Sequence, residues 1–162
     1  MERESIIAGK KILIVDDEPD VLETLEDLLP MCAVETASDF ASAKALLETR
    51  CFDLVFLDIM GVKGYELLDI CAAKKITAVM LTACALTPED VKKSFAKGAA
   101  YYLPKEEMVN ITSFLADILE AKGQGKNTWE SWYQRLASFC ERKFGPGWQT
   151  QDKPFWDRFP FH

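Results

Sequence analysis

Residues 11–19 read Lys-Ile-Leu-Ile-Val-Asp-Asp-Glu-Pro, an unbroken apolar run that ends in two adjacent aspartates and a proline. A strand apolar on both faces has to be covered on both faces, a condition met when helices sandwich a parallel sheet. The pattern recurs. Runs rich in apolar, β-branched and aromatic residues occupy Lys11–Asp16, Cys32–Ala37, Leu54–Asp58, Ile76–Thr82 and Ala99–Leu103, and they read as five strands. Between them the apolar residues change to a 3-4 rhythm: Val21, Leu22, Leu25, Leu28 and Leu29, then Phe40, Ala43, Leu46 and Leu47, and later Ile111, Phe114, Leu115, Ile118 and Leu119. Five alternations of strand and helix predict a doubly wound α/β sheet of five parallel strands.

Right-handed crossovers narrow the strand order, and the flavodoxin-like order 2-1-3-4-5 is the simplest for five such units. Strands 1 and 3 are then neighbours. Their carboxyl ends share the crevice in which open α/β sheets take ligands. Asp17-Glu18-Pro19 and Thr87-Pro88-Glu89-Asp90 open the first and fourth helices with proline in the first turn, and Gly98 and Gly123 are the expected stops.

The 162 residues are 49% hydrophobic, enough for one ordinary core and an appendage. No run approaches the roughly 18 apolar residues of a membrane span, and Met1–Lys11 lacks the apolar stretch of a secretion signal, so the expected location is cytoplasmic. Cys32, Cys51, Cys71, Cys84 and Cys140 are odd in number and form no CxxC pair, which predicts reduced thiols without zinc. The net charge is −7, although residues 123–162 hold six Lys/Arg against four Asp/Glu. The remainder is strongly acidic and repels a phosphate backbone. Direct binding of nucleic acid is therefore not expected, and a cation or another protein fits better.

Three carboxylates fall at strand ends that the topology brings together: Asp16 and Asp17 after strand 1, and Asp58 at the end of strand 3. Clustered acids repel unless a hard cation sits among them, and Mg2+ favours a few carboxylates together with carbonyl and water oxygens. Asp17 taken alone reads equally well as a helix cap. Thr82 ends strand 4 and Lys105 follows strand 5, where a hydroxyl and an ammonium suit developing charge on a phosphoryl group.

The motifs IVDDEPDV, LVFLDIM, VMLTA and YYLPK, in this order and spacing, closely resemble the CheY-like response-regulator receiver family over residues 10–122. The resemblance implies that Asp58 is the phosphoacceptor of a stand-alone response regulator, with Asp16 and Asp17 as the acidic pair for Mg2+. It further implies that Asp17 coordinates directly, Asp16 mainly through water, and Met60 through its backbone carbonyl. Thr82 corresponds to the switch hydroxyl, Tyr102 to the switch aromatic, and Lys105 to the phosphate-pairing lysine. Such a protein is a switch and not a conventional enzyme. The phosphoryl donor would be a histidine kinase or phosphotransfer protein, and the effector would read the fourth helix, fifth strand and fifth helix, or the C-terminal tail. Two alternatives stand beside this reading: a receiver-fold scaffold that is never phosphorylated, and a Mg2+-dependent phosphohydrolase. The sequence departs from the family in DIMGVKGYELL, which lacks proline and is about two residues short after Asp58, and in Glu106, which stands where proline usually follows the lysine. A reshaped loop beside the metal and a trans peptide after Lys105 are expected.

The receiver part is expected to span residues 1–122, with a linker at 123–127 and a C-terminal segment at 128–162. Asn127 and Glu130 resemble a capping box, and Trp129, Trp132, Tyr133, Leu136, Phe139, Cys140 and Phe144 mark one face of a helix over 128–144. All four tryptophans lie in this segment, so its face should be covered, either by the parent receiver, by a second copy in a homodimer, or by a docking partner. The last eighteen residues, rich in Pro and Gly, cannot continue the helix. His162 has no acid-base neighbour that would suit a phosphorelay histidine.

Overall fold

The structure, a computed structural model, describes residues 2–83, 87–145 and 147. Cys84, His162 and the irregular segment expected after the helix over 128–144, residues 145 and 147 apart, lie outside them. The strands are β1 (Lys11–Val15), β2 (Ala33–Ala37), β3 (Leu54–Asp58), β4 (Ala78–Thr82) and β5 (Tyr101–Pro104). They form one parallel sheet in the order β2-β1-β3-β4-β5, as the alternation predicted. Strand β3 and its neighbour β4 are buried at every position, which accounts for the uninterrupted LVFLD and AVMLT.

The helices are α1 (Glu2–Ile7), α2 (Pro19–Leu28), α3 (Phe40–Thr49), α4 (Gly64–Lys74), α5 (Pro88–Ala96), α6 (Ile111–Gly123) and α7 (Thr128–Phe144), with a 3-10 helix at Lys105–Asn110. The path reverses direction after β2, so right-handed crossovers put α2 and α6 on one face of the sheet and α3, α4 and α5 on the other. In keeping with this, α6 packs on α2, and α3 packs on α4. Helix α1 was not expected from the sequence. It lies against α6, with Ile7 fully buried. Its presence makes α5 and α6 the fourth and fifth helices of the sequence reading.

Local chemistry sets most boundaries. Pro19 and Pro88 begin α2 and α5, and the Thr87 side chain accepts the Asp90 N–H at 3.2 Å. Gly98, at φ 94°, closes α5, while the turn after α6 is made at Gly125, at φ 68°, with the Lys126 N–H reaching Ala121 O. The stop expected at Gly123 is thus displaced: Gly123 is still helical. Asn127 does cap α7, accepting the Trp129 N–H at 2.9 Å.

The two sheet edges are protected differently. Outer strand β2 is polar and carries the Arg50–Glu35 ion pair. At the opposite edge, YYLP is apolar and α7 lies across it, anchored on both flanking helices. The Trp129 indole N–H donates to Ala99 O and the Trp132 indole N–H to Tyr102 O, both at 2.7 Å. Trp129 meets Phe95 of α5 edge-on, and Arg135 pairs with Asp117 and stacks over Phe114 of α6. Carbonyls left open at a sheet edge thus gain buried donors. Trp132 itself is 1% exposed, and burial of an aromatic of this size contributes on the order of 2–3 kcal/mol.

Candidate functional site

Four neighbouring strands deliver the polar residues picked out in the sequence to one end of the sheet. Pairing sets Val15 opposite Leu57, Asp58 opposite Leu81, and Thr82 opposite Pro104. Asp16, Asp58, Thr82 and Lys105 are therefore brought side by side by strand register alone. They meet at a cleft of about 320 Å³ that is lined by Asp17, Glu18, Asp58, Met60, Gly61, Thr82, Ala83 and Lys105. Larger surface clefts lie at the opposite end of the sheet, around Arg50 and Cys51, away from these groups.

Lys105 organises the charges. Its ammonium stands 2.7 Å from Asp16 Oδ2, 3.1 Å from Glu18 Oε1 and 3.3 Å from Asp58 Oδ1. Burial opposes its charge, but the hydrogen bonds to Asp16 and Glu18 and the charges of Asp16 and Asp58 outweigh that cost and hold its pKa above the ordinary lysine range. With Glu106 in place of proline the lysine still reaches the acids. Pro104, extended at φ −66° and ψ 138°, ends the strand immediately before it.

Asp58 is 5% exposed. Burial, reinforced by the Asp16 charge and opposed by Lys105, pushes its carboxyl up to about 6. Asp16 is fully buried, and its Oδ1 accepts the Glu18 N–H at 2.9 Å, so Asp16 does the local turn-closing work that the sequence left open for Asp17. Asp17 is exposed at the mouth of the cleft and has no ion-pair partner among the described residues. The Thr82 hydroxyl, nearly buried, makes a long 3.5 Å contact with its neighbour Ala83 O.

One carboxylate oxygen from each of Asp16, Asp17 and Glu18 lies within 4.8 Å of the others, and Asp58 borders the same cleft. A hard, all-oxygen donor set of this kind fits Mg2+. The run DDE was the signal for Glu18, which the sequence reading passed over. The short loop after β3 accounts for two further residues it missed. Gly61 has φ 83°, and a Cβ there would overlap the Asp17 carboxylate; a Cβ on Gly64 would overlap the backbone carbonyl of Asp58. Both glycines permit an approach that no other residue allows. Met60 lines the cleft with its side chain 71% exposed.

Tyr102 lies at the far side of Thr82. It is 1% exposed, so the aromatic expected to turn inward is already covered, and its hydroxyl has no hydrogen-bond partner among the described residues. Burial drives its pKa far above the usual phenol range, eased by the adjacent Thr82 hydroxyl, with Cys140 of α7 also close enough to contribute.

Residues 12–121 match the response regulator receiver domain. The chain belongs to that family. This receiver is 32% identical to the two-component response regulator ORR22 of Oryza sativa over 120 residues, 68% of this chain and 17% of the rice protein. It is 34% identical over 113 residues to ARR18 of Arabidopsis thaliana, across 64% of this chain and 18% of that one. The receiver thus spans about a fifth of the length of these curated relatives. Among solved structures, a CheY-like receiver from Methanospirillum hungatei superposes with a TM-score of 0.60 at 26% identity, covering 71% of this chain and 99% of that chain. Receiver domains of response regulators act as signalling switches. Among the described residues no helix is long and apolar enough to cross a membrane.

Proposed function

We propose that this receiver accepts a phosphoryl group on Asp58 and signals by changing a protein-binding surface. The reading is carried by the convergence of Asp58, Lys105 and Thr82 on one cleft that Asp17 and Glu18 also line. A phosphohistidine on a histidine kinase or phosphotransfer protein suits the donor role. An Asp58 carboxylate oxygen forms the new bond to phosphorus, the P–N bond breaks, and the electron pair leaves with the imidazole. Lys105 neutralises charge on the transferred oxygens, and Thr82 offers a hydroxyl proton to one of them. Asp16, Asp17 and Asp58, with the Met60 carbonyl, would hold Mg2+, and Glu18 joins the same acidic set. When bound, the cation supplies charge neutralisation at the phosphoryl oxygens. A beryllofluoride-activated receiver, that of DrrB from Thermotoga maritima, is 26% identical with a TM-score of 0.61 and covers 69% of this chain and 98% of its own, which supports the same chemistry here.

The test is the intact mass of the protein after incubation with Mg2+ and acetyl phosphate, beside Asp58→Asn. One added phosphoryl group that requires both the metal and Asp58 is the expected result. A chain that gains no group and does not bind beryllofluoride is a receiver-fold scaffold, and the reading is then wrong.

A further inference from the structure

Beyond the cleft, the outer edge of β5 is covered by α7. Helix α7 lies over β5 between α5 and α6, and its inner face consists of Trp129, Trp132, Leu136, Phe139 and Cys140, all nearly fully buried. Two of its hydrogen bonds end on backbone carbonyls at the β5 edge, and one of those carbonyls belongs to Tyr102. Tyr102 in turn stands beside Thr82. A second connection runs outside the sheet. Lys143 of α7 pairs with Glu106 at 2.9 Å, and Glu106 is the residue next to Lys105.

We propose that α7 is an internal occupant of the α5–β5–α6 face, loosened when Asp58 is phosphorylated, so that the covered β5 edge becomes available to a partner only in the phosphorylated state. This inference rests on the phosphoryl-accepting reading of the cleft. The driving asymmetry is local. The Tyr102 hydroxyl is buried, with the Thr82 side chain beside it. Drawing Thr82 toward a phosphoryl group vacates space on the cleft side of Tyr102. As the ring turns into that space, the packing of α7 on β5, where Trp132 bonds the Tyr102 carbonyl, has to readjust. Lys105 moves toward the same phosphoryl group and carries Glu106 away from Lys143. Both changes weaken the docked helix, and neither strengthens it. The buried apolar face opposes spontaneous release, so phosphorylation biases α7 and a partner completes its displacement.

The experiment is amide hydrogen exchange on the whole chain, with and without Mg2+ and beryllofluoride. Slower exchange around Asp58–Gly64 together with exchange in Trp129–Phe144 faster by roughly fivefold or more is the expected pair of results. Protection of the cleft with α7 unchanged or slowed overturns the latch and leaves the phosphoryl reading intact. No protection at the cleft overturns that reading, and the latch falls with it. Trp132→Phe provides a reciprocal arm, since it keeps an aromatic but deletes the indole donor to Tyr102 O. Linkage requires that the factor by which this substitution favours the loosened helix also tighten beryllofluoride binding. Faster exchange in α7 with unchanged affinity would show that the helix and the cleft are independent.

Discussion

Lys105 Nζ lies closer to Asp16 Oδ2, at 2.7 Å, than to Asp58 Oδ1, at 3.3 Å, so in this structure the lysine is chiefly the counter-ion of the acid beside the metal position. An ammonium in that place competes with a divalent cation for the same negative charge. Lys105→Met is therefore expected to raise Mg2+ affinity, by at least roughly threefold, because an ammonium a few ångströms from the cation repels it. Phosphorylation of Asp58 should slow in the same variant. Titration calorimetry with Mg2+ and timed intact-mass measurements with acetyl phosphate read the two effects separately. Unchanged metal affinity would mean that the lysine does not oppose the cation.

Asp58 gives a pH-dependent prediction of stability. Its carboxyl titrates near 6 in the folded chain, above the roughly 3.9 of an unfolded one, so the folded state holds the extra proton between those values. Stability without metal should fall as pH rises from about 4 to about 6 and remain reduced above that. Asp58→Asn removes the ionisation and should stabilise the metal-free protein at pH 7.5 by about 1–2 kcal/mol, with the gain vanishing below about pH 4. Thermal melts across this range check the sign. A destabilised Asn variant at neutral pH would contradict it.

Gly61 lets the loop after β3 press against Asp17. Gly61→Ala has both a left-handed backbone, at φ 83°, and a Cβ that overlaps the Asp17 carboxylate, so Asp17 must move. The expected cost is about 1 kcal/mol or more in stability, with Mg2+ binding weakened by roughly tenfold as one carboxylate leaves its place. Unaltered metal binding would show that Asp17 is not needed there.

Thr87 tests a boundary remote from the acids. Its side chain accepts the Asp90 N–H at the start of α5, and Thr87→Ala should cost about 1 kcal/mol in chemical denaturation. A neutral result would mean that Pro88 alone suffices to start the helix.

The strands and their order could be read from the sequence because ILIV and LVFLD have no polar face, and only a two-sided sheet satisfies such runs. The cleft followed from that order, since the residues at its corners are strand-end residues. What stayed hidden depended on contacts distant in the chain. Helix α1 is only six residues long, and its burial comes from α6 more than a hundred positions later. The Trp129 and Trp132 face was recognised as apolar, but its destination was not, because the acceptors are backbone carbonyls thirty residues away that have no sequence signature. The glycines at 61 and 64 reveal their role only when the Asp17 carboxylate and the Asp58 carbonyl are seen against them.

The contact between α1 and α6 also orders events in time. Ile7, fully buried in the finished fold, is made more than a hundred residues before α6 begins at Ile111. At about 5–20 residues per second, the first helix waits roughly 5–20 s on the ribosome for the surface that covers it. During that interval Ile7 lacks its cover, and this part of the core can close only once α6 has been made.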